Sequence, residues 1–311
     1  MSRSGAYQAG VGMRTQGHSA LQEGLCLGDL RREGEQRLRA AGIDNAAREV
    51  FWLLEYLGIS QAAALTREEQ AAAGETVARA RVLFARRARR EPLQYLLGTQ
   101  DFCGHTFEVG PGVLIPRPES ELLVEEAIRC GRGRSSVTIV DIGTGSGCLA
   151  VSAALALPES RVWAVDLSEA ALVLAERNIR THRLERRIRL CQGDLFEALP
   201  VALQEDRVDL LLSNPPYIAD SEWDALPQDV AGYEPRVALD GGPDGLRVHR
   251  RLVEEAPRWL AHGGWLLLEI GMNQGQALSE CIEASGHYRD VTVRQDGQGL
   301  DRLVCARFVG E

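Results

Sequence analysis

The chain has 311 residues, a formal net charge of -9 at pH 7 and seven cysteines. That length suits one medium and one small domain around a substantial core, and the apolar and charged fractions are those of an ordinary globular protein. No apolar run is long enough for a bilayer span, the odd, scattered cysteines include no C-x-x-C pair, and the acidic balance opposes long-range attraction to nucleic acid, which counts against membrane-spanning, disulfide-scaffold, zinc-module and general DNA-binding readings.

Residues 1–22 lack Asp and Glu, are rich in Gly, Ser, Ala and Gln, and carry Arg3 and Arg14. Without the apolar stretch of a secretory signal they read as a disordered leader, or as an overextended start with Met13 as the true beginning. Residues 23–93 carry helical periodicity and read as a small helical domain. In AAREVFWLLEYLG, residues 46–58, apolar positions recur at three and four, and Gly58 marks a stop. Thr66 and Glu69 are spaced as a capping box that would open the next helix. The segment ARVLFARRARREP, residues 80–92, holds Arg81, Arg86, Arg87, Arg89 and Arg90. It reads either as a solvated helix face that suits the helix dipole or as a docking patch for a partner.

Residues 94–117 change character, with Phe102, Phe107, Val109, Val113 and Ile115 set among glycines, and predict a linking β-hairpin. A helix follows in ESELLVEEAI, with acid at its first turn. Residues 118–311 form the larger domain. Apolar runs at 137–143, 161–167, 188–194, 208–214 and 265–271 have helical stretches between the first three, which predicts an α/β, mostly parallel sheet with helices on both faces. The segments 287–296 and 302–309 predict an antiparallel hairpin at the sheet edge.

Ligands in such sheets sit beyond the carboxyl ends of the strands. Those ends carry Gly143, Asp166, Asp194 and Asn214. VDIGTGSG has a G-x-G-x-G turn preceded by Asp141. The spacing departs from the dinucleotide fingerprint, and an acid beside the turn disfavours phosphate while suiting an ammonium, which points to S-adenosylmethionine. Asp166, 25 residues after Asp141, is placed to accept from ribose hydroxyls. Asp194, with Leu195 and Phe196, suits an adenine amino group and its ring. In SNPPY, the Asn214 oxygen and the Pro215 carbonyl form a pair of acceptors for an NH₂ on a planar carbon, and Tyr217 offers a flat wall. An amide and an aromatic amine fit that description equally. Asn214 is expected to position the nitrogen and stabilise its developing charge, with no strong base required.

DIGTGSG, GDLF, SNPPY and GVLIPRPESE at 112–121 together resemble the peptide chain release factor N5-glutamine methyltransferase family. YEPRVALDGGPDGL at 233–246 and GLDRLVCARF extend the likeness over nearly all of the chain after residue 22. The resemblance implies a class I S-adenosylmethionine-dependent methyltransferase fold of seven strands. It implies methyl transfer from S-adenosylmethionine, with S-adenosylhomocysteine as product, to the glutamine of the Gly-Gly-Gln loop in class 1 release factors, in the bacterial cytoplasm. Gly143, Thr144, Gly145, Ser146 and Gly147 would hold the methionine part, Asp166 the ribose and Asp194 to Phe196 the adenine. Asn214, Pro215, Pro216 and Tyr217 would receive the glutamine, with Asn214 also reaching the cofactor. Ile115 to Pro118, including Arg117, would lie over the site. No metal, membrane or stable nucleic-acid partner is expected. Ribosomal-protein glutamine and nucleic-acid adenine-N6 are the alternative acceptors; the latter is disfavoured by the acidic balance and by segments 112–121 and 233–246.

Overall fold

The computed structural model describes residues 25–310. The expected leader at 1–22 lies outside the described residues. The chain divides into two compact units between Phe84 and Ala85.

The first unit holds helices α1 (Leu27–Ala40), α2 (Ala46–Tyr56), α3 (Gln61–Thr66) and most of α4 (Gly74–Ala88). Their helical periodicity brings Leu30, Leu38, Val50, Leu53, Leu54 and Phe84 into full burial. Gly34 lets α1 approach closely, since a Cβ there would come within 2.7 Å of the Phe84 ring. The expected stop at Gly58 is present just past the end of α2. The capping box at Thr66 is not: Thr66 closes α3, its hydroxyl donating to the Ala62 carbonyl at 2.7 Å, and α4 opens only at Gly74. Thr66 is the last residue of α3, and no helix starts within a turn of it for its oxygen to cap.

The arginine run is largely occupied within the chain and does not stand as a uniform solvated face. Arg81 makes two hydrogen bonds of 2.8 Å to Glu33. Arg86 pairs with Glu91, and Arg87 is buried and donates to the Glu91 carbonyl at 3.1 Å.

The second unit opens with α5 (Leu93–Leu97) and the antiparallel hairpin β1 (Thr99–Phe102) and β2 (His105–Glu108). A 3₁₀ turn at Pro118–Ser120 leads into α6 (Glu121–Gly131). Then come β3 (Val137–Ile142), α7 (Cys148–Ala156), β4 (Ser160–Asp166), α8 (Glu169–Thr181), β5 (Ile188–Gln192), α9 (Ala202–Asp206) and β6 (Val208–Ser213). After β6 the chain forms β7 (Ile218–Ala219), α10 (Gln228–Tyr233), β8 (Asp240–Gly242), α11 (Arg247–Glu255), β9 (Leu260–Glu269), α12 (Gly275–Ala284), β10 (Tyr288–Gln295) and β11 (Asp301–Phe308).

The main sheet has seven strands in the order β10-β11-β9-β6-β3-β4-β5. Strand β11 runs antiparallel to both neighbours, β9 and β10, while β9, β6, β3, β4 and β5 are parallel, as expected from the sequence. The two-residue period of a strand divides the core. Ile139, Leu210, Leu212, Leu267 and Leu303 face α6 and α7 residues, among them Val124 and Val151. Val140, Leu211, Leu266, Leu268 and Val304 pack with Leu252 of α11 and Leu278 of α12. Burial of each such side chain contributes roughly 1.5–3 kcal/mol, so both faces fix the register of β6 and hence where it ends.

Asn178 of α8 joins the β1–β2 hairpin to the glycine turn. It accepts from Glu108 N at 2.7 Å and donates to the carbonyls of Glu108 and Ser146 at 3.0 and 2.8 Å. Asn178→Ala would leave these buried groups unmatched, and the expected loss is about 2–4 kcal/mol, read from the urea unfolding midpoint.

Candidate functional site

The C-terminal ends of β3, β4, β5 and β6 open on a cavity of about 390 Å³. Gly143 and Gly145 of the turn after β3 line it, with Asp166 to Ser168 after β4, Gly193 to Leu195 after β5, and Asn214 and Pro216 after β6. Gly112 to Leu114 on one side, and Pro235, Val237 and Ala238 on the other, complete the wall.

The glycine turn is shaped by backbone geometry rather than by lack of space. Gly143, Gly145 and Gly147 have φ of +75°, +57° and +81°, a left-handed conformation that a side chain disfavours. Asp166 fastens this turn to the end of β4: its carboxylate accepts from Gly145 N at 2.8 Å and from Ser168 N at 2.9 Å. Burial raises its pKa, opposed by these backbone hydrogen bonds. Each carboxylate oxygen has a second lone pair, so the group still offers acceptors to the cavity.

Asp141, Thr144 and Ser146 do not line the cavity. Asp141 is fully buried beneath the turn and accepts from the Thr144 hydroxyl at 2.7 Å, and its other oxygen has no hydrogen-bond partner. The expected ammonium partner is therefore, in geometry, a brace of the turn. Burial lifts its pKa to about 7, with the Thr144 hydrogen bond acting against the shift. Cys148, the residue after the turn, is likewise buried, and its thiol is pushed up to about 12.

Asp194 and Leu195 line the cavity, whereas Phe196 turns into the core and stacks on Trp259 at 5.9 Å. Leu195 adopts φ +48°, which sends the two side chains different ways. Arg251 of α11 pairs with Asp194 at 3.0 Å, a partner that no motif announces.

Beside this cavity lies a second, of about 180 Å³, lined by Arg117, Tyr217, Ile218, Val230 and Leu239. Leu114, Asn214 and Ala238 line both. Pro215 is buried and lines neither. The Asn214 side-chain nitrogen donates to Ser120 Oγ at 3.1 Å, which leaves its oxygen as the end available to a ligand. Tyr217 is held from behind: its carbonyl accepts from Gln274 Nε2 at 2.8 Å, and Gln274 Oε1 accepts from Gly271 N at 2.9 Å. A Cβ at Gly245 would lie 2.3 Å from that same carbonyl, so only glycine permits the 233–246 segment to pass there. Strands β7 and β8 then pair in parallel, stitching the residues after SNPPY to that segment.

Segments 112–121 and 233–246 are joined by Glu234. Its buried carboxylate accepts from Ile115 N at 3.2 Å and pairs with the Arg117 guanidinium. Glu269, at the end of β9, is also buried; its pKa is raised to about 7 by burial, against a hydrogen bond from Ser120. Sequence reasoning passed over Ser120, Glu234, Glu269 and Gln274. The available signal was a lone acid, Glu269, inside the apolar run WLLLEIG.

Among the described residues no group of three or more His, Cys, Asp or Glu is placed to hold a metal ion, and no helix is long and apolar enough to cross a membrane. The strand order, with the last strand inserted antiparallel and a glycine turn fastened to an acid at the end of the next strand, defines a class I S-adenosylmethionine-dependent methyltransferase. The fold is shared with the hMettl16 catalytic domain solved with a MAT2A 3'UTR hairpin, at a TM-score of 0.54, 20% identity and coverage of 74% of this chain and 83% of that one. Residues 29–98 match the PrmC N-terminal domain and residues 118–229 the Methyltransferase small domain. The release factor glutamine methyltransferase of Geobacter sulfurreducens is 44% identical over 272 residues, covering 87% of this chain and 93% of that protein. Its counterpart in Moorella thermoacetica is 42% identical over 275 residues, covering 88% and 95%. The chain belongs to the release factor glutamine methyltransferase family.

Two outcomes follow from this geometry. Glu234→Gln should speed hydrogen–deuterium exchange at the amides of residues 112–117, read by mass spectrometry, because the amide no longer balances Arg117. Asp141 holds a proton in the native state that the unfolded chain releases above roughly pH 4, so its contribution is full below that pH and is lost as pH rises toward 7. Asp141→Asn should flatten that part of the stability curve and raise the urea midpoint at pH 8.

Proposed function

We propose that this chain transfers a methyl group from S-adenosylmethionine to the side-chain amide nitrogen of the glutamine in the Gly-Gly-Gln motif of class 1 peptide chain release factors. The observation that carries the reading is Asn214, which lines both cavities with its oxygen end uncommitted. The larger cavity suits the cofactor and the smaller one a slender amide side chain.

Asp166 would hold the ribose hydroxyls, Gly143 and Gly145 the methionine part, and Asp194 with Leu195 the adenine. Thr144, Ser146 and Gly147 shape the turn, and Asp141 supports it. When bound, the cofactor supplies an electrophilic sulfonium methyl. Asn214 Oδ1 would accept one hydrogen of the glutamine amide and hold its nitrogen toward the cofactor, and the Pro215 carbonyl, the second acceptor that SNPPY implies, would have to reach the amide from a buried residue behind the cavity wall. Tyr217 walls the amide, Pro216 lines the cofactor side, and Arg117, held by Glu234, closes the mouth. Positive charge develops on the nitrogen as the bond forms, and the neutral Asn214 oxygen stabilises it. The methylated nitrogen then gives a proton to solvent without a dedicated base.

Residues 23–93 would serve release-factor recognition, 94–117 the linking hairpin and 118–311 cofactor binding and transfer. An acceptor in translation and seven free cysteines support a bacterial cytosolic setting.

Incubation of the chain with labelled S-adenosylmethionine and purified class 1 release factor should add one methyl to the loop glutamine, located by mass spectrometry. Label on ribosomal protein or duplex DNA, with none on release factor, would overturn the reading. Asn214→Ala should lower kcat at least roughly 100-fold while much of the cofactor affinity survives.

A further inference from the structure

We infer that Ser120 and Glu269 decide which end of the Asn214 amide faces the acceptor, and so act as positioning residues for the transfer. The inference rests on the proposed reading of Asn214 as the group that grips the acceptor nitrogen.

The oxygen and nitrogen ends of an asparagine amide are almost the same size, so only their hydrogen-bond partners distinguish the two orientations. The distinction matters here, because an acceptor NH₂ needs an oxygen opposite it. An Asn214 turned end for end would set N–H against N–H.

Ser120 Oγ lies 3.1 Å from Asn214 Nδ2. A serine hydroxyl has one proton and two lone pairs, so a hydroxyl that donates elsewhere can only accept from Asn214. The second partner is Glu269, which receives a hydrogen bond from Ser120. Protonated or not, a carboxyl keeps one oxygen that only accepts, and the partnerless Oε2 is the end free to carry a proton, so the other oxygen takes the serine proton and leaves lone pairs toward Asn214.

Sheet register brings these groups together. Ser213 of β6 is paired with Leu268 of β9, so the next residues along the two parallel strands are Asn214 and Glu269. Ser120 approaches from the turn before α6. Ser120 and Glu269 are each only 3% exposed, and Glu269 Oε2 has no hydrogen-bond partner. Bulk water therefore has little access to relay a different polarity. The chain runs Glu269, Ser120, Asn214, acceptor, and each hydroxyl or amide proton along it points toward the carboxylate. This also accounts for an acid kept within an otherwise apolar strand. The same polarity repels a ligand that presents a carbonyl at the Asn214 oxygen, so the pocket selects NH donors.

The test uses the full chain. Ser120→Ala and Glu269→Gln should each lower kcat for release-factor methylation at least roughly ten-fold, with S-adenosylmethionine affinity within about three-fold of the parent by calorimetry. Ser120→Thr, which keeps the hydroxyl, should restore most of the rate. Because one chain of hydrogen bonds is broken by either change, the double variant should be no slower than the slower single one. In ¹⁵N-labelled protein, the Asn214 side-chain NH₂ signal, identified by its loss in Asn214→Ala, should exchange slowly with solvent in the parent and fast in Ser120→Ala. That spectrum needs no acceptor, so its outcome is independent of whether release factor is the substrate. Parent-like kcat in both Ser120→Ala and Glu269→Gln, or an NH₂ exchange rate unchanged by Ser120→Ala, would overturn the inference. If Ser120→Ala does not fold, Glu269→Gln decides alone by kcat and by the same signal.

Discussion

The carboxylate of Glu234 holds the two segments that make this pocket what it is. One of its oxygens accepts from the Ile115 amide and the other meets Arg117, in a place where the side chain is almost fully withdrawn from water. Removing one partner of such a buried pair typically costs about 3–5 kcal/mol, because the other charge is left uncompensated. The contact is therefore far more constraining than a surface ion pair. Leu114 and Ala238, one from each joined segment, line both cavities, so a single wall bounds what we assign to the cofactor and what we assign to the acceptor.

Against that wall stands a row of strand ends. Buried β6 delivers Asn214, its neighbour β3 delivers the glycine turn, and β4 delivers Asp166. Parallel strands end on the same side of the sheet, so groups far apart in sequence arrive side by side without any long reach. The prolines after Asn214 end the strand, yet the chain does not wander: it pairs again at Ile218, and Gln274 and Gly245 press on the Tyr217 carbonyl. Rigid support of this kind suits a reaction that depends on where a weak nucleophile is held.

Much of this was legible in the sequence, and the reason is local. All seven strands of the main sheet carry apolar or alternating patterns, and the glycines, Asp166, Asp194 and Asn214 sit at strand ends within motifs that a linear reading can see. What escaped was long-range. Ser120 meets Asn214 across 94 positions and Glu234 meets Ile115 across 119, and nothing in either local segment encodes the other. Phe196 shows the limit differently: its place beside Asp194 suggested an adenine cover, but the left-handed backbone at Leu195 turns it onto Trp259. At Thr66 the residue pattern was right for a cap, but the preceding helix runs on to that residue and the next opens only at Gly74.

Cys148 adds a consequence of a different kind. A sulfonium methyl donor is an alkylating agent, and the side chain it would most readily react with is a thiolate. The residue directly after the glycine turn is a cysteine, yet burial raises its pKa to about 12, so at neutral pH it is almost entirely the unreactive thiol. Close packing under the turn thus keeps this thiol out of the cavity as well as protonated.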